Sequence, residues 1–399
     1  VSAAADLPST GTPLSPRGVL LALASAITSI TIVGIGLSLS FPLLALRLDE
    51  QGYSARAIGL NSTAGGLAIL FGAALVPALA HRAGVKRLLL YSLLAGALSL
   101  AAFAATSGYW TWLLIRMIFG AALTALFVTS EYWINAAAPP RQRGFVLGFY
   151  VTSLAAGFAA GPLILGFAGT TGNGPFIAAI ALFALAAAPI AFWSGAIPDM
   201  ESAPKLPALA ILTGVPAAAF AGLLHGAIES ASLGLLPIYA VRAGESPETG
   251  AFFVALFSLG NVVFQIPIGF ASDRMERGRI LGWLAALSLS GAAALAFAGP
   301  ARFVLFCFLL VLWGGIAGSL YAVGLAYLGA RYAGADLASA NAAFVMLYAL
   351  GMLVGPPVAG LGMDLLPPDG LFFAAALMAA PYTLFFILRN ARRTAQAAC

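Results

Sequence analysis

The pattern G-x-x-x-G-P-x-x-x-G occurs twice in this chain. Gly157, Gly161, Pro162 and Gly166 form one copy; Gly351, Gly355, Pro356 and Gly360 form the other, 194 positions later. Each copy lies inside a long apolar segment. Glycines four residues apart on a helix let a second backbone approach closely. A proline within a helix removes a backbone hydrogen bond and bends the axis. Matching helix breakers at matching places in two apolar halves point to a duplicated membrane bundle. Close packing alone also explains such glycine spacing, which recurs at Gly222/Gly226 and Gly314/Gly318.

The solvent for most of the chain must be lipid. It is 61% hydrophobic and 8% charged, where soluble domains sit near about 45–50% and about 25%. Charge and turn signals divide it into twelve segments long enough to span a bilayer as helices. These lie near 18–44, 57–80, 88–106, 111–136, 145–168, 176–196, 209–239, 250–271, 280–298, 303–329, 338–362 and 371–389. The expected fold is therefore all-α and integral to the membrane, with twelve transmembrane helices in two six-helix bundles. The stretch 197–208 combines three prolines with three charges and reads as the linker. The expected units are an N-terminal tail at 1–17, a bundle at 18–196, the linker, a bundle at 209–389 and a C-terminal tail at 390–399.

Lysine and arginine set the orientation. Alternate loops hold Arg17; Arg82, Lys86 and Arg87; Arg141 and Arg143; Lys205; Arg274, Arg277 and Arg279; Arg331; and Arg389, Arg392 and Arg393. The opposite loops hold only Arg47, Arg56, Arg242 and Arg302. The rich side is expected to be cytoplasmic, with both termini there. Residues 1–16 lack the charged, apolar and cleavage regions of a secretory signal.

Several classes are excluded or disfavoured. Cys307 and Cys399 are the only cysteines and offer no disulfide framework or thiolate metal site. The net charge of +5 is spread over short loops, so a nucleic-acid partner is not expected. With two histidines, His81 and His225, histidine-rich metal chemistry is excluded. No H-E-x-x-H, G-x-S-x-G or phosphate-loop motif is present. An enzyme, a passive channel and a membrane sensor are therefore the weaker readings, and no cofactor or metal is expected.

The halves align beyond the opening pattern. Pro42 and Arg47 correspond to Pro237 and Arg242; Pro77, His81 and Arg82 correspond to Gly269, Asp273 and Arg274. The loop GFASDRMERGR (269–279) looks like the G-x-x-x-D-R-x-x-x-R loop of the major facilitator superfamily, with one extra residue. The loop PALAHRAGVKR (77–87) matches more weakly: Arg82, Gly84, Lys86 and Arg87 fit, while Pro77 and His81 replace the glycine and the aspartate. Arg116 and Gly120 match R-x-x-Q-G, with Phe119 at the glutamine. The glycine–proline pattern of span 5 is similar to that of proton-coupled drug and metabolite antiporters, though the closing glycine pair is here Leu165-Gly166. The run EYWINAAAPPRQRG (131–144) also looks like a bacterial subgroup. The resemblance to this superfamily covers nearly the whole chain. It implies two bundles around a central cavity that opens to one side at a time. Spans 1, 4, 7 and 10 would line the cavity, and spans 2, 5, 8 and 11 would form the seam.

Ionisable residues inside apolar segments are costly and worth reading singly. His225 and Glu229 lie four residues apart near the middle of span 7, on one helical face. A poorly solvated carboxyl group and an imidazole can bind and release a proton as a cavity changes sides. The alternative is a permanent structural bond. Arg116 lies about 7 Å from the outer end of span 4, at 1.5 Å per residue. It keeps its charge and needs an anion, whether Glu229, a substrate carboxylate or backbone carbonyls. The resemblance gives it a coupling role.

Glu131 is expected at the inner end of span 4 beside Arg82. The resemblance makes these, with Gly84, Lys86, Asp273 and Arg274, parts of a gate. Asn261 and Gln265 form a polar pair in span 8, as candidate substrate contacts or interhelical bonds. Ser25, Thr28, Ser29 and Ser40 mark one face of span 1, which backbone bonding would equally explain. Tyr321, Tyr327 and Tyr348 are candidate cavity residues or plain packing. The expected function is export of a small organic solute by proton antiport, acting as a monomer. Proton-coupled uptake of a small, anionic metabolite is the second reading. The substrate itself is not legible.

Overall fold

The structure is a computed structural model that describes residues 16–137, 143–193, 214–332 and 334–398. Among the described residues there are twelve long α-helices and no strand: α1 (Pro16–Glu50), α2 (Ala55–Ala83), α3 (Val85–Ala105), α4 (Tyr109–Ala137), α5 (Arg143–Ala168), α6 (Gly174–Ala191), α7 (Pro216–Arg242), α8 (Pro247–Arg274), α9 (Arg277–Ala298), α10 (Phe303–Gly329), α11 (Gly334–Leu365) and α12 (Gly370–Ala398). Ten are long and apolar enough to cross a membrane, or eleven when the bent α2 counts as one span; α5 contributes the shorter apolar stretch Thr152–Ala168. Leu98, Leu185, Val304 and Leu377 are among many large apolar side chains left exposed. An apolar exterior of that extent is a lipid-facing one. The linker 197–208 and most of the N-terminal tail lie outside the described residues. The last helix continues to Ala398, so residues 390–398 are helical and continuous with α12.

Within the first half, α1 packs on α4, α5 and α6, and α4 on α2 and α3. Within the second, α7 packs on α8, α10 and α11, and α9 on α10 and α12. The halves meet through α2 against α11, α5 against α8, and α1 against α7.

The repeated glycines turn mainly inward, to the first helix of their own half. A Cβ added at Gly157 would lie 3.1 Å from Gly34 Cα on α1, and one at Gly161 would lie 2.7 Å from the Leu39 nitrogen. On α11, a Cβ at Gly351 would lie 2.8 Å from the Ala227 nitrogen, and one at Gly355 2.5 Å from Ala227 Cα on α7. The third glycines differ. Gly360 packs against Ala55 and Arg56 of α2, across the halves, while Gly166 has nothing within 4 Å. Gly355→Ala is therefore expected to cost about 1–3 kcal/mol by overpacking. Gly166→Ala should be neutral or slightly stabilising, as alanine favours helix. Thermal unfolding of the purified variants compares them, and equal loss in both would contradict this packing.

A helix outside the repeated pattern is sharply bent. α5 and α11 run through Pro162 and Pro356 as single helices. The break lies in α2, where Ala55–Gly72 and Leu75–Ala83 meet at 64°. Pro77 explains it: its ring crowds the carbonyl four residues earlier, at Ala73, and supplies no N–H to that group.

Candidate functional site

α7 is the most enclosed helix, with every residue from Leu224 to Ala240 buried. Its polar pair is placed as the helical spacing requires. His225 Nε2 lies 3.5 Å from Glu229 Oε2, and both side chains are buried. Tyr348, on α11, donates its hydroxyl to the same Oε2 at 2.6 Å. The imidazole stacks on Tyr348 at 5.5 Å and tilts against Tyr321 of α10 at 5.3 Å. Its Nδ1 lies 2.9 Å from the Ala317 carbonyl oxygen, also on α10. A buried carboxyl group is tolerable only with partners of this kind. Three helices thus meet around the His225–Glu229 pair.

Arg116 sits in the first half and does not reach Glu229. It is buried, donates from Nη1 to Ser62 Oγ on α2 at 2.9 Å, and lies 5.3 Å from the centre of the Phe41 ring. Its Nη2 has no hydrogen-bond partner, and Arg116 makes no ion pair among the described residues. Ser62 also faces α7, since a Cβ at Gly234 would lie 3.4 Å from its Oγ. Two clefts, of about 370 and 330 Å³, open beside Arg47 and Trp112 and beside Tyr327 and Arg277. Neither is lined by Glu229 or Arg116. The chemistry argues for the packed polar groups over these end clefts as the site.

The halves are fastened at the end where α1, α7 and α11 stop. Arg242 Nη2 lies 3.1 Å from Asp49 Oδ1, and its Nη1 3.3 Å from Asp364 Oδ1. The Asp364 carboxylate also accepts the backbone N–H groups of Ala55 at 3.0 Å and Arg56 at 2.9 Å. It caps the positive end of α2, where such groups are otherwise unsatisfied. Thr170 donates to Glu248 at 3.4 Å on the other seam. Thr170 stands 194 positions before Asp364, and Glu248 stands 192 after Arg56. The duplicated positions meet in both seams but carry different chemistry.

A family model described as the Major Facilitator Superfamily matches residues 26–219 and again 218–398. The chain belongs to the major facilitator superfamily. It is a multi-pass membrane transporter and not an enzyme. It is similar to an uncharacterized MFS-type transporter, YfkF, of Bacillus subtilis (strain 168), at 25% identity over 90% of this chain and 93% of the relative. A second relative, an uncharacterized MFS-type transporter of Yersinia enterocolitica, is 27% identical over 87% and 90%. Among solved structures, the nucleoside transporter NupG aligns with a TM-score of 0.74 at 15% identity, covering 94% of this chain and 98% of that one. A D-xylose-proton symporter aligns with a TM-score of 0.73 at 16% identity, covering 92% and 96%. At these identities the structures speak for the fold alone.

The superfamily loop residues take plainer places than the resemblance implies. Gly84 has φ of +82° in the α2–α3 turn, a conformation that favours glycine. Lys86 donates to the carbonyls of Ala191 and Trp193 and so staples α3 to the end of α6. Arg82 is exposed and forms no ion pair among the described residues, so the expected bond to Glu131 is not made. Glu131 lies instead within electrostatic reach of Tyr150 on α5 and Tyr321 on α10. Arg274 lies 6.0 Å from the Phe270 ring; the Asp273 side chain lies outside the described residues. Gln265 donates to Asn261 at 3.1 Å, and Asn261 fills the space beside Gly318 of α10. Ser29 donates to the Ser25 carbonyl at 2.7 Å, one turn back. The fastening by Asp49, Arg242 and Asp364 was missed in the sequence, although acids at the lysine- and arginine-poor ends are its visible trace.

Proposed function

We propose that this protein exports a small organic solute by proton antiport, with Glu229 as the proton carrier. The observation that carries the reading is the buried Glu229 carboxyl group, bonded to Tyr348 and adjacent to His225. Its protonation changes the charge of the contact between α7 and α11, helices that also meet through close glycine contacts at Gly226, Gly351 and Gly355. Coupling protonation to helix position needs a titratable group at such a bistable contact. The lysine- and arginine-rich ends support cytoplasmic termini and a bacterial inner membrane. The fastened end is then the outer one, and the chain faces inward. Uptake by proton symport is the second reading, favoured by the unpartnered Nη2 of Arg116, which suits an anionic solute.

Purified protein in liposomes under an imposed pH gradient tests both. A panel of nucleosides, sugars, carboxylates and amphipathic amines is offered while an enclosed pH dye reports proton flow. Solute moving against the proton flow supports antiport. Solute moving with it rules out antiport in favour of symport.

A further inference from the structure

The His225 ring has a different partner at each nitrogen. Nδ1 lies 2.9 Å from the Ala317 carbonyl, and Nε2 lies 3.5 Å from Glu229 Oε2. A carbonyl oxygen only accepts hydrogen bonds. Nδ1 therefore carries the hydrogen, and in the neutral ring Nε2 turns a lone pair toward the carboxyl group. A lone pair facing a bare carboxylate repels it; one proton between them turns the contact into a bond. We propose that His225 and Glu229 hold a single proton in common, with Nε2 as its base and the Ala317 carbonyl deciding which nitrogen that is. The proposal rests on Glu229 as the proton carrier and assigns His225 as its positioning residue.

The proton balance is simple. In one form Glu229 is a carboxylic acid and the imidazole is neutral. In the other the proton has crossed from Oε2 to Nε2, leaving a carboxylate and an imidazolium. The charge of the pair is zero in both, so the buried site never holds a lone ion while the proton stays. Loss of that proton leaves a carboxylate whose remaining donor at Oε2 is the Tyr348 hydroxyl. The titratable groups that face the ring are Glu229 on α7, Tyr348 on α11 and Tyr321 on α10. Because Ala317 belongs to α10, a third helix sets the proton geometry of an α7–α11 contact.

The chain has only two histidines, so His81→Gln leaves His225 as the sole ¹⁵N-histidine signal in the full-length protein. The nitrogen shifts separate the two neutral tautomers from imidazolium, and protons are the only ligand needed. The expected result is a neutral ring with hydrogen on Nδ1. Glu229→Gln should keep that tautomer but displace the pH midpoint of the signals by about one unit or more, the usual effect of a neighbouring charge. A neutral ring carrying hydrogen on Nε2, or a midpoint unchanged by Glu229→Gln, overturns the proposal. If His81→Gln folds poorly, the unmodified chain serves, with His225→Gln identifying the signal. The carrier role of Glu229 is judged separately by transport, so a wrong tautomer and a wrong carrier give different results.

Discussion

Glu229→Gln is expected to abolish solute movement driven by a pH gradient, down to the level of protein-free liposomes. The amide has nearly the same shape, and its oxygen still accepts from the Tyr348 hydroxyl. It has no proton to carry at any working pH. Stability should fall by no more than about 1 kcal/mol, since one charge-assisted bond becomes a neutral one. Exchange of solute between two pools at equal pH should continue, because it needs alternation without net proton flow. Gradient-driven transport at the full rate would remove Glu229 from the mechanism. Loss of exchange as well would assign it to the rocking motion and not to coupling.

Asp364→Ala is expected to unfasten the end where α1, α7 and α11 stop. The carboxylate serves two backbone N–H groups and Arg242 at once. Arg242 shares the second half with Asp364, so only the cap bonds to Ala55 and Arg56 cross between the halves. Losing that helix cap, about 1 kcal/mol, is roughly a fivefold change in the ratio of closed to open ends. Distance measurements between labels at the exposed Gln51 and Ser246 read that ratio. Asp364→Asn, which keeps an acceptor for the cap but loses the charge, should fall between. Unchanged distances in the alanine variant would show that the Arg242–Asp49 pair and the glycine contacts hold the end shut without the cap.

Much of this arrangement was readable before any coordinates. Helix positions follow from apolar runs broken by charge and turn residues, because lipid permits little else. The His225–Glu229 contact follows from spacing on one helix. What the chain did not disclose are contacts set by how helices rotate against each other. Asp364 meets Ala55 and Arg242 meets Asp49 across most of the sequence, and no local pattern encodes such pairs. Tyr348 was one of three similar tyrosines, and only its facing on α11 selects it for Glu229. Lys86 was read through the family loop, but the end of α6 happened to present it with free carbonyls. Bends were expected at the prolines of the repeated pattern, and the 64° bend of α2 near Pro77 was not anticipated.

That bend bears on how the motion should be pictured. The first part of α2, Ala55–Gly72, is bonded to the opposite half through Asp364 and packs its Gly59 against the Pro356 carbonyl. Its second part, Leu75–Ala83, leaves at 64° and joins α3 through Gly84. One end of α2 is therefore tied to the second half, while the other, past the bend, turns back into its own half. Any motion that parts the halves at this end must first pull the start of α2 off the Asp364 carboxylate.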